Sequence, residues 1–186
     1  MRKNFGPKPA LYPEPVLILG TYNEDGSPNA MNAAWGGISE EAEISICISP
    51  EHKTTENILA RKAFTVSVAT ADYVAECDYV GIVSGKDIPN KLEKAGLDPV
   101  KSDFVDAPLI RQLPFAVECR LISYDEDTCR LVGEIVNVCA EESILNEKGY
   151  VDPEKLRPIV YDPMNHDYRI VGEKVGNAFK DGLKLK

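Results

Sequence analysis

The sequence is poor in the features that announce most kinds of chemistry. No apolar run approaches the roughly 20 residues that a membrane-spanning helix needs, so the expectation is a soluble protein. There is no GxSxG, HExxH, Walker loop or GxGxxG, and hence no signature of hydrolysis, zinc proteolysis or a dinucleotide fingerprint. With only two histidines, His52 and His166, a multi-histidine metal site is excluded. Gly81 and Gly85 are four residues apart, a spacing that fits no nucleotide loop. Positive charge is also scarce: 21 lysines and arginines face 30 acidic residues, for a net charge of −9. That balance argues against a nucleic-acid surface, which requires a clustered basic patch, but leaves room for a small anion in a local pocket.

Cysteine usage is modest and unpatterned. Cys47, Cys77, Cys119, Cys129 and Cys139 are odd in number, lack CxxC spacing and mostly sit inside apolar runs. They read as reduced structural thiols behaving as small hydrophobes, with one redox-active cysteine as the alternative. Such thiols suit a reducing cytoplasm. The opening stretch, MRKNFGPKPALYPEP, has basic residues but no apolar segment after them, because four prolines interrupt it; this points away from a secretory signal.

What is present is a β pattern. The 186 residues suit one domain, 1–186, with 44% hydrophobic residues to build a core. Residues 16–22 are apolar enough for a strand, and the NEDGSPN cluster (23–29) is a hairpin turn around Asp-Gly. The returning segment, 29–38, is rich in alanine and glycine, so that a ligand could approach its backbone closely. Residues 44–49 and 64–68 alternate with period two, and between them residues 54–61 read as a short helix capped by threonine. Two helical pieces are expected over 72–83 and 88–95, closed by Gly96. A second long hairpin (115–121 and 130–138), two short late strands (159–161 and 168–170) and a final helix over 173–179 complete the pattern. The fold class is mainly β (α+β), a barrel or sandwich with short helices inserted between strands.

One segment carries chemistry. In SPEHKTTENI (49–58) two threonines, a lysine and a histidine gather where a helix begins, and a helix start offers free N–H groups and partial positive charge to a phosphate. The same residues also describe a capped helix with solvated polar side chains, and the segment alone leaves both readings open.

Together with NAMNAAW (29–35), DYVGIVSGKD (78–87), FVDAPLI (104–110) and GEKVG (172–176), in that order, this segment resembles the flavoredoxin branch of the flavin reductase-like family. The resemblance runs from about Pro15 onward. It implies a split β-barrel that binds FMN and dimerises, with the flavin near the subunit interface. By position, Asn29, Ala30, Met31, Asn32, Ala33, Ala34 and Trp35 would line the isoalloxazine. Ser49, Pro50, His52, Lys53, Thr54 and Thr55 would hold the ribityl chain and phosphate. Ser84, Gly85 and Lys91 resemble a loop that closes the site, and Tyr168, with His166 near it, falls where the family places aromatics by the flavin. His52, Lys53 and Thr54 stand where many members carry tyrosine-containing versions.

The resemblance implies an oxidoreductase that passes electrons through FMN, supplied by NAD(P)H or by a redox protein; a flavin-storing or flavin-sensing module is the non-enzymatic alternative. No protein group then acts as catalytic acid or base, because the cofactor carries the chemistry. No nucleic acid or membrane partner is expected. If electrons travel through the flavin alone, replacing each cysteine by serine or alanine leaves reduction of bound flavin within about threefold of the parent rate, below the tenfold that about 1.4 kcal/mol represents. Stopped-flow bleaching of the flavin absorbance checks this, and one variant that binds FMN yet loses reduction reveals a thiol relay.

Overall fold

Local turn chemistry starts the fold. In the computed structural model, which describes residues 1–186, β1 (Glu14–Pro15) leads into β2 (Leu17–Tyr22), and a five-residue turn returns the chain as β3 (Pro28–Ala33). Gly26 sits at φ +82°, where glycine meets no steric penalty. The Asp25 carboxylate accepts from the Ser27 N–H at 2.9 Å and from its hydroxyl at 2.6 Å. Pairing then runs in register from Leu17↔Ala33 to Tyr22↔Pro28.

The chain continues through β4 (Gly36–Glu40), β5 (Glu43–Cys47), α1 (Lys53–Arg61), β6 (Ala63–Val68), α2 (Val74–Ile82) and α3 (Lys91–Lys94). It is completed by β7 (Pro99–Lys101), β8 (Pro108–Ile110), β9 (Phe115–Asp125), β10 (Arg130–Ala140), α4 (Pro153–Leu156), β11 (Ile159–Asp162) and β12 (Asp167–Ile170). Seven strands form one antiparallel sheet in the order β3-β2-β6-β9-β10-β5-β4. Its two outermost strands, β3 and β4, are consecutive in the chain and separated only by Ala34 and Trp35. Laid flat, six strand spacings would set them about 29 Å apart, whereas three residue steps span at most about 11 Å. The sheet therefore curls into a half-barrel. Smaller sheets, β1-β11-β12 and β7-β8, flank it.

Strand alternation feeds two cores. Leu17 and Leu19 point into the barrel with Ile44, Ile46, Ile58, Phe64, Cys119 and Leu131. Ile18 and Ala30 point the other way, where Cys77 and Val80 of α2, Leu92 of α3 and Ile159 of β11 cover the sheet. Strand β2 is thus buried on both faces, which explains its nearly continuous apolar sequence. No helix is long and apolar enough to cross a membrane.

Three sequence expectations need correction. Helix α1 starts at Lys53 with His52 at the N-cap and no side-chain cap, so threonine does not cap it. The expected strand over 29–38 breaks at Ala34–Trp35, where the chain leaves one sheet edge for the other. Residues 173–179 form no helix, and only a single-turn 3₁₀ segment, Asp181–Leu185, follows them. Glycines at 172 and 176 weaken helix propensity there, and all sixteen residues from 171 to 186 are exposed, so no packing stabilises a helix.

At Gly133, beside a register shift in the β9–β10 pair, a Cβ would lie 2.4 Å from the tip of the buried Phe64 ring. Gly133→Ala is expected to cost about 1–3 kcal/mol through this overpacking, read as a lower urea midpoint; an unchanged midpoint contradicts that packing.

Candidate functional site

The site forms where β3, the start of α1 and the end of α2 converge. Asn29 of β3 is buried, and its Nδ2 donates to Thr54 Oγ1 at 2.9 Å and to Thr21 Oγ1 at 3.3 Å. This clasps the first turn of α1 to the hairpin. Its Oδ1 is buried without a partner, and a Cβ on Gly85 would lie 2.4 Å from it. Gly81 is similarly close to Asn32, whose Cβ is 2.8 Å from where a Gly81 side chain would begin. The two glycines are thus contact points that let α2 and the following loop close on β3.

Between these walls lies a cleft of about 270 Å³ lined by Met31, Asn32, His52, Lys53, Thr54, Val80, Gly81, Ile82, Val83, Ser84, Gly85 and Lys91. Asn32, Gly81 and Ile82 also line a second cleft of about 520 Å³, bounded by Val16, Ala34, Asp78, Tyr161, His166 and Tyr168. The two clefts therefore adjoin across these three residues. Trp35, 55% exposed, lines a third hollow with Ala34, Leu11 and Pro13.

Of the residues singled out in the sequence, the fold brings Met31, Asn32, His52, Lys53, Thr54, Ser84, Gly85 and Lys91 together in the first cleft. Ala34, Tyr168 and His166 join in the second. Ala30 and Ala33 are packed into the two cores. Asn29 and Thr55 lie buried behind the wall, and Thr55 donates to the Ser49 carbonyl at 2.6 Å. Ser49 and Pro50 line neither cleft. Asp78, Tyr161 and Lys86 were not singled out; Asp78 and Lys86 stand within a quoted motif, whereas nothing local marks Tyr161.

Charge is arranged unevenly along the depression. The N-cap geometry of α1 leaves its first N–H groups without a side-chain acceptor. Lys53 pairs with Glu56, and Lys86 lies 3.7 Å from the same carboxylate. Lys53, and then Lys86, hold the Glu56 carboxyl below its ordinary pKa. Two ammonium groups share this carboxylate in a hollow that Glu24 and Asp25 also line, and Lys53 alone of the two lysines also faces the first cleft, beside the free amides of α1. At the other end, Tyr168 donates to Asp78 Oδ1 at 2.6 Å, and burial followed by that carboxylate raises the phenol's pKa. The Tyr161 hydroxyl meets His166 Nδ1 at 2.6 Å. His166 is presented by a turn that Asp162 organises, accepting from the N–H groups of Met164 and Asn165 and from the Tyr12 hydroxyl. The Tyr12 bond, with Asn165 and the turn amides, holds the Asp162 carboxyl well below the usual carboxylate range.

A family model described as flavin reductase like domain matches residues 10–165. Among solved structures, flavoredoxin of Desulfovibrio vulgaris (Miyazaki F) is 38% identical with a TM-score of 0.94, covering 98% of this chain and all of that one. Flavoredoxin from Methanosarcina acetivorans is 26% identical with a TM-score of 0.88, covering 100% of both chains. The FMN-binding domain of a flavin reductases-like enzyme from Shewanella baltica OS155 shares the fold at 21% identity and a TM-score of 0.79, covering 88% of this chain and 89% of that one. The residues present fit a flavin mononucleotide. Free amides at the start of α1, with Lys53 and His52 beside them, suit a phosphate, and glycines at 81 and 85 let the opposite wall approach β3 closely.

Lys91 is 2% exposed, and its ammonium donates to the Val80 and Val83 carbonyls at 3.0 Å each, capping the end of α2. Burial lowers its pKa to about 8, against about 10.4 for an exposed lysine. Between these values the unfolded chain binds more protons, so stability at this site rises as pH rises from about 8 to 10.4, by on the order of 3 kcal/mol. Urea unfolding at both ends of that window should show wild type gaining on Lys91→Met; a constant difference between the two proteins contradicts the buried charge.

Proposed function

The chain belongs to the flavin reductase like domain family, and on that premise we propose that it binds FMN in this depression and passes electrons through it as an oxidoreductase. The observation that carries the reading is the uncapped start of α1, with Lys53 and Lys86 beside it, opening onto a cleft that continues to Tyr161, His166 and Tyr168. The FMN phosphate belongs at the helix start, where dipole, amides and ammonium groups act together. When bound, FMN supplies a centre that takes up two electrons and releases them together or singly.

The protein's own residues do the placing. Asn32, Gly81 and Ile82 line both clefts, and Met31 lines the first. Asp78 fixes the Tyr168 ring through its hydroxyl. His166 has Nδ1 engaged by Tyr161, which fixes its ring at the border of the second cleft. The five free cysteines, two of them buried, support a reducing cytoplasm as the setting.

Electrons come from NAD(P)H or from a redox protein, and one observation favours the protein donor. No lysine or arginine lines the second cleft, so a dinucleotide pyrophosphate placed there would meet Asp78 without a cation to offset it. Anaerobic stopped-flow mixing of the FMN-loaded protein with reduced ferredoxin, NADH or NADPH separates the readings. Bleaching of the flavin with the protein donor, faster than with either nicotinamide, supports the favoured one. A flavin that no donor reduces would leave a storage module instead.

For the phosphate, Lys53→Ala is the cleaner probe, because Thr54 also holds Asn29. Loss of one charge-assisted contact is expected to weaken FMN by about 1.5–3 kcal/mol and to leave riboflavin nearly unchanged. Equal losses for both ligands in a fluorescence titration would place the phosphate elsewhere.

A further inference from the structure

Two features of the chain have no partner within it. The first is the arm formed by residues 171–186. Its last tie to the body is the Val171 N–H donating to the Pro158 carbonyl at 3.0 Å, and beyond that its hydrogen bonds run only between residues 177 and 186. It nevertheless carries large apolar side chains in the open, with Val175 97% and Phe179 99% exposed and Leu185 close behind. Four lysines against one glutamate and one aspartate make the arm positive by two charges, which leaves a net charge of −11 on residues 1–170.

The second feature is a row of carboxylates across the outer face of the sheet. Glu40 of β4 stands opposite Glu43 of β5, and Glu43 opposite Glu134 of β10. Like charges directly opposite on paired strands destabilise a sheet, and none of the three makes an ion pair. Arg120 of β9, next in the row, lies opposite Glu134 without pairing with it. The row ends at β4, the outer strand of the sheet; Ile38, 68% exposed, pairs with Ile44 beyond a register shift and so lies on the other, barrel-facing side of that edge, within reach of a segment that wraps round it.

We propose that the arm of one protomer docks on the β4-β5-β10 end of a second copy of this chain, its lysines over Glu40, Glu43 and Glu134. Val175 and Phe179 cover Ile38 and the open edge. A second copy is the occupant because it carries this uncompensated carboxylate row, whose like-charge cost the arm's lysines would relieve. A two-fold pair also uses both features twice, each arm meeting the other protomer's carboxylates. The homodimer that the family resemblance implies thereby acquires a specific, salt-sensitive clasp, one that stands whether or not FMN is bound.

Sedimentation equilibrium of the full chain and of a variant ending at Ile170 tests this, with far-UV circular dichroism as the check on folding. The dimer dissociation constant should rise at least about tenfold on removing the arm, and likewise on raising salt from about 0.05 to 0.5 M, where screening shortens to a few ångströms. A second variant keeps the arm: Glu40→Lys with Glu43→Lys and Glu134→Lys should weaken the dimer, and adding Lys→Glu at 174, 180, 184 and 186 should restore it. Carbodiimide coupling of mixed ¹⁴N- and ¹⁵N-labelled protein should join arm lysines to Glu40, Glu43 or Glu134 between chains. Equal dissociation constants with and without the arm, couplings confined to one chain, or arm-dependent binding to phosphatidylserine vesicles with unchanged self-association would each overturn the proposal.

Discussion

The buried amide of Asn29 is the contact on which the site depends. It stands on β3, holds the first turn of α1 through Thr54, and lies directly under Gly85 in the loop after α2. Three chain segments remote in sequence are thus fixed against one side chain. A polar group so buried is costly unless bonded, and its two donated hydrogen bonds give the position a single arrangement. Everything that faces the cleft, from the free amides of α1 to the Lys91 cap on α2, takes its place from that arrangement.

A second constraint is electrostatic. The molecule is acidic overall, yet the start of α1 gathers Lys53 and Lys86 around a single carboxylate. On the proposed reading a small dianion sits at that corner, while polyanions are repelled by the body. The second cleft is aromatic and carries Asp78 and His166 instead. On the same reading one end anchors the cofactor and the other leaves it open to its electron donor. Fixed dipoles and locked rings suit a protein whose part is to place a cofactor rather than to perform the chemistry.

Much of this was legible in the sequence where the cause is local. The Asp25-Gly26 turn and the alternating strands follow from turn chemistry and period-two patterning, and the structure repeats them. A helix start near 54 and the glycines at 81 and 85 were also visible, but the true first residue, Lys53, and the purpose of the glycines were not. Thr54 and Thr55 look like capping residues, yet their partners, Asn29 and Ser49, are set by tertiary packing. Lys91 reads by resemblance as part of a loop that closes the site, whereas the fold buries it under the end of α2, where it donates to two carbonyls. The break at Ala34–Trp35 is hard to see because alanines and glycines flank it on both sides without a turn signal, and only closure of the sheet demands it. Residues 173–179 fail as a helix because Gly176 lowers their propensity and no surface packs against them, and only the first of these causes is legible within the segment.

The central claim is that the depression between β3, α1 and α2 is built for FMN, and the most direct measurement is a titration of the purified full-length protein with FMN. Visible absorbance and flavin fluorescence are followed together. The account predicts saturation at one FMN per chain, with quenched fluorescence and a shifted oxidised-flavin spectrum. A colourless protein whose addition leaves the spectrum and fluorescence of FMN unchanged at every ratio would contradict it.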